Sequence, residues 1–122
     1  MPFQIIRNDI TKVKADAIVN TANPKPHVGR GTDSAIYAAA GEAQLLEARK
    51  LIGDIAPGQA FMTQAFNLDA KYIIHTVGPA WIDGNHEERE TLHFCYANSL
   101  SLAADLKCKS VAFPLIASGV YG

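Results

Sequence analysis

Asn23 and Asp33 are the side chains of this sequence best placed to do chemistry. They lie in the stretch DAIVNTANPKPHVGRGTDSAIYAAAG, Asp16 to Gly41. An amide can read a hydroxyl, and a carboxylate can position or activate a water. Between them runs a polar loop with prolines and glycines, which leads into an alanine-rich helix. N–H groups at a helix N-terminus have no intrahelical partner and sit at the positive end of the helix dipole. Glycine lets backbone approach an anion closely. The segment therefore predicts an anion site of the phosphate-holding kind, beside an amide and an acid.

These groups need a rigid frame, and the chain supplies one by alternation. Phe3 to Arg7 reads as a first strand, followed by turn formers at Asn8 to Thr11. Ala17 to Asn20 lacks polar alternation and reads as a buried strand. Pro24 and Pro26 keep the next segment a loop. A helix is predicted from about Asp33 or Ser34, broken at Gly41, resuming at Glu42 and stopping at Gly53. Its second part carries Leu45, Leu46, Ala48 and Leu51 or Ile52 at apolar spacings. After a Pro57-Gly58 turn, Gln59 to Phe66 and Tyr72 to Val77 read as strands. Glu87 to Leu106 reads as a long helix with Leu92, Cys95, Tyr96, Ser99, Leu100, Ala103 and Leu106 on one face. Ser110 to Ile116 is a further buried strand. Strands alternating with helices predict a three-layer α/β/α fold.

The composition fits that reading. The chain of 122 residues suits one domain, 1–122. Hydrophobic residues make up 48% and charged residues 19%, so a packed core is expected rather than disorder. A formal net charge of −1 provides no global field to attract nucleic acid. Cys95 and Cys108 form no C-x-x-C pair, so they read as reduced thiols. No signal peptide is legible in MPFQIIRND, and no apolar run reaches the roughly 18 residues of a membrane span. Cytoplasm is the expected location.

Five blocks together resemble the macrodomain family. They are NDIT (Asn8 to Thr11), DAIVNTAN (Asp16 to Asn23), GRGTDSAIYAAAG (Gly29 to Gly41), YIIHTVGP (Tyr72 to Pro79) and FPLIASGVYG (Phe113 to Gly122). The sequence is most similar to the MacroD-like group of bacterial ADP-ribose hydrolases. The resemblance implies a macrodomain-like fold with a mixed central sheet. It also implies binding of ADP-ribose or an ADP-ribosylated protein. The implied reaction is hydrolysis of an ester at the distal ribose, either an ADP-ribosyl ester of Asp or Glu or an O-acetyl ester. ADP-ribose would be ligand or product, with no cofactor and no metal.

The resemblance also implies roles. Asp9 would accept from the adenine amino group, and Ile10 would face the adenine ring with its N–H. Asn23 would hold the distal ribose, and Asp33 would orient the attacking water. Gly29, Arg30, Gly31 and Thr32 match the first phosphate loop. Ser118, Gly119, Val120, Tyr121 and Gly122 match the second, with Tyr121 against the distal ribose.

Some features depart from the family pattern. Arg30 interrupts the usual glycine run, and positive φ is disfavoured there. Ala117 replaces the common Ser or Thr before Ser118. Family members continue through a further helix–strand–helix, so the domain is expected to be C-terminally incomplete, cut at the second phosphate loop. A gap in the sheet would follow, inviting strand exchange or self-association.

Plainer readings compete. Asp9 can cap a turn and Asp33 can cap a helix. Asn20 reads as structural, bonding loop backbone. His75 reads as a satisfied core histidine, and His27 as a surface one. His86 and His93 specify no metal site. The competing functions are a non-catalytic ADP-ribose-binding module and an inactive truncated domain. A Rossmann-type domain lacks its G-x-G-x-x-G.

Overall fold

The structure is a computed structural model, and it describes residues 9–79 and 88–114. The expected strand Phe3 to Arg7 and the loop Ser118 to Gly122 lie outside the described residues, as do His86 and Ala117. A 3-10 turn, Ile10–Lys12, leads into strand β1, Ala17–Thr21. Strand β2 is Ala60–Gln64, β3 is Tyr72–Thr76 and β4 is Val111–Ala112. The sheet order is β2-β3-β1-β4. β1 runs parallel to both β3 and β4, and β2 runs antiparallel to β3. The sheet is therefore mixed, as expected.

Among the described residues, three helices cover it. They are α1, Thr32–Ala40, α2, Glu42–Ile52, and α3, Glu88–Asp105. Gly41 alone separates α1 from α2, and its φ of +115° is one that side-chain-bearing residues rarely adopt. Its N–H still closes onto Tyr37 O at 3.0 Å, while Leu45 N–H donates to Gly41 O at 3.0 Å. The chain thus keeps Gly41 hydrogen-bonded to both helices where one gives way to the other. No helix among the described residues is long and apolar enough to cross a membrane.

Successive strand side chains face opposite sides of a sheet. Ile18 and Ile73 accordingly pack on one side with Ile36, Tyr37 and Ala40 of α1 and Leu45 of α2. Ala17, Val19 and Ile74 pack on the other with Cys95 and Ala103 of α3. Each fully buried isoleucine contributes about 1.5–3 kcal/mol relative to exposure. Burial on both faces is why β1 shows no polar alternation.

Several boundaries and faces differ from expectation. β2 is shorter than Gln59 to Phe66, and just beyond it Phe66 adopts φ of +52°. α1 opens at Thr32, ahead of Asp33. The buried stripe of α3 is Glu88, Cys95, Ser99 and Ala103, and Leu100 is 47% exposed. Leu100 follows Ser99 by one residue, a rotation of about 100° around the helix, which carries it off the stripe. On α2, Leu51 is 88% exposed and Ile52 packs inward. The inward position one turn after Leu45 is taken by Arg49.

Candidate functional site

The parallel strands β1 and β3 end together, with Thr21 opposite Thr76. In α/β sheets this carboxyl end is where ligands bind. The chain leaves β1 at Ala22, whose N–H donates to Thr76 O at 2.9 Å. The loop that follows is pinned from behind. Ile55 N–H donates to Pro24 O at 2.8 Å. The Arg49 guanidinium donates to Asn23 O at 2.9 Å and Pro24 O at 3.3 Å, and also to Gly53 O. One buried fork thereby joins the loop after β1 to the end of α2. An exposed Lys25–Asp54 ion pair at 2.9 Å adds little by comparison.

The loop then turns back on Asp33. Gly29 N–H donates to Asp33 Oδ2 at 2.6 Å, and Asn20 Nδ2 donates to Asp33 Oδ1 at 2.7 Å. A Cβ at Gly29 would collide with Asn23 Nδ2 and would stand 3.0 Å from Asp33 Oδ2. The Asn23 amide, the Gly29 backbone and the Asp33 carboxylate thus converge at one point. Gly31 caps α1 with φ of +61°, open space beside it and no side-chain cap bond. Asp33 sits in the first turn and is no N-cap; it ties the loop to the helix instead. The N–H of Gly29, in the stretch expected to form the first phosphate loop, is engaged by Asp33. Arg30 is exposed and is not among the residues with positive φ, because Gly31 takes that conformation for the loop.

The electrostatics of this corner oppose one another. Burial pushes the Asp33 carboxyl above its ordinary value, while hydrogen bonds from Asn20 and Gly29 and the nearby Arg49 and His27 pull it down. Tyr37, one turn further along α1, is pushed up to about 12 by burial and by Asp33. His27 itself is exposed.

Behind Asp33 lies a buried polar row. Asn20 and His75 are register partners on adjacent strands. Asn20 Nδ2 lies 3.2 Å from His75 Nδ1, and His75 Nε2 lies 3.0 Å from Thr63 Oγ1. Thr63 Oγ1 also donates to Gln64 O at 3.0 Å. His75 is therefore a satisfied core histidine, as expected, and burial lowers it to about 3. Asn20 is structural too, but its partners are the Asp33 and His75 side chains rather than loop backbone.

Asp9 makes the turn contact that its plainer reading expected. It caps the 3-10 turn, accepting from Thr11 N at 3.0 Å and Thr11 Oγ1 at 2.7 Å. Those bonds hold its carboxyl below the ordinary aspartate range. Ile10 packs with Val28 against the core cluster that includes Ile36 and Tyr37, so the turn sits beside α1. Arg49 and Thr63 escaped the sequence reading. The available signal was an arginine one turn after Leu45 on an otherwise apolar helix face. A shallow groove of about 520 Å³ lined by Gln64, Phe66 and Tyr72 lies at the opposite end of β3 and takes no part in this site.

The Macro domain family model matches residues 19–122. An O-acetyl-ADP-ribose deacetylase of Citrobacter rodentium is 51% identical over 124 residues, covering 98% of this chain and 70% of that protein. A structure of the Oceanobacillus iheyensis macrodomain with ADP superposes with a TM-score of 0.89 at 39% identity, over 94% of this chain and 64% of that one. The Trypanosoma brucei macrodomain in complex with ADP-ribose gives a TM-score of 0.87 at 35% identity, over 95% of this chain and 47% of that one.

Proposed function

The chain belongs to the Macro domain family, and from that premise we propose that it binds ADP-ribose and hydrolyses an ester at the distal ribose. The observation that carries this reading is the convergence of the Asn23 amide and the Asp33 carboxylate beside Gly29. Asn23 holds a distal ribose hydroxyl. Asp33 orients a water and takes its proton as the water oxygen bonds to the ester carbonyl carbon. The bond from that carbon to the ribose oxygen then breaks, and the ribose oxygen takes a proton.

Gly31 and Thr32 begin α1, where unpaired N–H groups and the helix dipole favour a diphosphate. Arg30, exposed beside them, adds a cation. The family resemblance assigns the second phosphate loop to Ser118 to Gly122, with Tyr121 as the ribose contact, and these lie outside the described residues. Asp9 and Ile10 hold the adenine from their place beside α1. The names of the relatives support both an O-acetyl ester as substrate and ADP-ribose as ligand. Removal of ADP-ribose from Asp or Glu of a modified protein is the same chemistry at the same ribose.

A second reading has its own support. Both Asp33 oxygens accept hydrogen bonds and the residue is 3% exposed, which suits a clamp in a non-catalytic binding module. Calorimetric titration with ADP-ribose, paired with an acetate-release assay on O-acetyl-ADP-ribose, separates the two. Binding with turnover supports the hydrolase. Binding without turnover leaves the module, and no binding overturns both.

A further inference from the structure

The buried row behind Asp33 has a fixed direction, and it is set at its far end. A backbone carbonyl can only accept, and Thr63 gives its single hydroxyl proton to Gln64 O at 3.0 Å. Thr63 Oγ1 can then only accept from His75 Nε2, which must carry the ring proton. His75 Nδ1 is left with a lone pair facing Asn20. The Asn20 amide must turn its NH₂ toward that lone pair, and the same nitrogen donates to Asp33 Oδ1. The opposite amide orientation would set an oxygen against both the His75 lone pair and the carboxylate. All four side chains are buried, so water cannot reverse this order.

We propose that Thr63 and His75 are positioning residues that fix the direction of hydrogen bonding through Asn20 and so hold the Asp33 carboxylate ionised and oriented. Neither touches the carboxylate; both act through Asn20. The consequence for turnover rests on the reading of Asp33 as the water-orienting acid. The consequence for the Asp33 proton does not. A His75 ring that stays neutral through the working pH range suits a fixed tautomer. The other groups facing Asp33 are Arg49 from α2, His27 and the Gly29 N–H from the loop, and Tyr37 from α1. A change at Thr63 reaches Asp33 along the hydrogen bonds of the row, through His75 and Asn20.

Two measurements test this without relying on activity. The ¹⁵N spectrum of the unaltered chain at neutral pH should show His75 with its proton on Nε2; a proton on Nδ1 would overturn the proposal. The carboxyl titration of Asp33, followed by ¹³C in aspartate-labelled protein, should move up by about one pH unit in Thr63→Val and return in Thr63→Ser. An unmoved midpoint in a folded Thr63→Val would also overturn it, and should that variant fail to fold, the tautomer decides. In the turnover assay, Thr63→Val should lower kcat about tenfold with KM kept, the acid limb moving with the carboxyl midpoint. Turnover that survives Asp33→Asn would instead sink the proposed function, leaving tautomer and midpoint to judge the row.

Discussion

Asp33 Oδ2 accepts the backbone N–H of Gly29 at 2.6 Å, so the acid of the site and the loop of the site are one mechanical unit. The bond is short and charge-assisted, a class that contributes about 1.5–3 kcal/mol. It binds the first turn of α1 to the loop that carries Asn23. Change at either end should therefore be felt at the other.

Gly29→Ala tests the crowding at this junction. The new methyl would overlap Asn23 Nδ2 and press on Asp33 Oδ2. Overpacking of this kind costs about 1–3 kcal/mol. Urea unfolding should show that loss, and calorimetry should show ADP-ribose affinity reduced at least about tenfold as Asn23 is displaced. Unchanged affinity would mean that Asn23 does not contact the ligand.

Asp33→Asn removes the charge at nearly constant volume. Turnover should fall by roughly 10²–10⁴-fold, the usual contribution of a positioned acid or base. ADP-ribose affinity should change much less. On the proposed mechanism the ionised carboxylate is the active form, and burial raises its pKa. Activity should therefore fall as pH drops through a midpoint above the ordinary aspartate value of 3.8. A joint loss of binding and turnover would make Asp33 a clamp alone.

Arg49→Met removes the fork that holds Asn23 O, Pro24 O and Gly53 O. Pro24 O keeps its bond from Ile55, but the carbonyls of Asn23 and Gly53 lose their Arg49 partner, and each partly buried acceptor so left costs up to about 1–3 kcal/mol. A destabilisation of about 3 kcal/mol is expected by urea unfolding. Arg49→Lys should restore little, since an ammonium cannot span three acceptors with a planar fork. Hydrogen exchange at Ile55, whose N–H donates to Pro24 O, should quicken in both variants.

His75 predicts an acid sensitivity. Its folded pKa of about 3 lies below the ordinary 6.5, so the native state binds fewer protons between these values. Its contribution to stability is full above pH 6.5 and is lost as pH falls toward 3. Unfolding free energies from pH 7 down to pH 5 should decline, and His75→Gln should flatten the slope. An unaltered slope would place the acid sensitivity in other groups.

Tyr37 predicts the alkaline counterpart. Its phenol is raised from 10.0 to about 12, so the native state keeps a proton that the unfolded chain gives up. Stability should fall as pH rises between those values, and Tyr37→Phe should remove that fall. Equal alkaline loss in both proteins would show that Tyr37 does not ionise with unfolding.

The strands and helices among the described residues were legible in the sequence because their signals are local. Ala17 to Asn20 has no polar alternation, Gly41 and Gly53 punctuate the helices, and Pro57-Gly58 makes its turn. Faces were harder. Leu100 and Leu51 follow apolar spacing in the sequence, yet one position of helical rotation exposes both. Arg49 was invisible as a core residue because arginine is ordinarily exposed. Its burial depends on three carbonyls that come from two separate segments.

The sequence by itself determined the family and placed Asn23, Gly29 and Asp33 around one strand–loop–helix junction. Those residues are close along the chain, and short connections keep them close in space. Tertiary structure alone decided what Asp33 does with its two oxygens. One partner, Gly29, is local, but the other belongs to a row that crosses three strands from Thr63 through His75 to Asn20. No spacing rule joins those positions, because their contact exists only once β2, β3 and β1 have paired in register. Their buried hydrogen bonds then run outward from the Asn20 amide, one way to the carboxylate and the other through His75 and Thr63 to the Gln64 carbonyl.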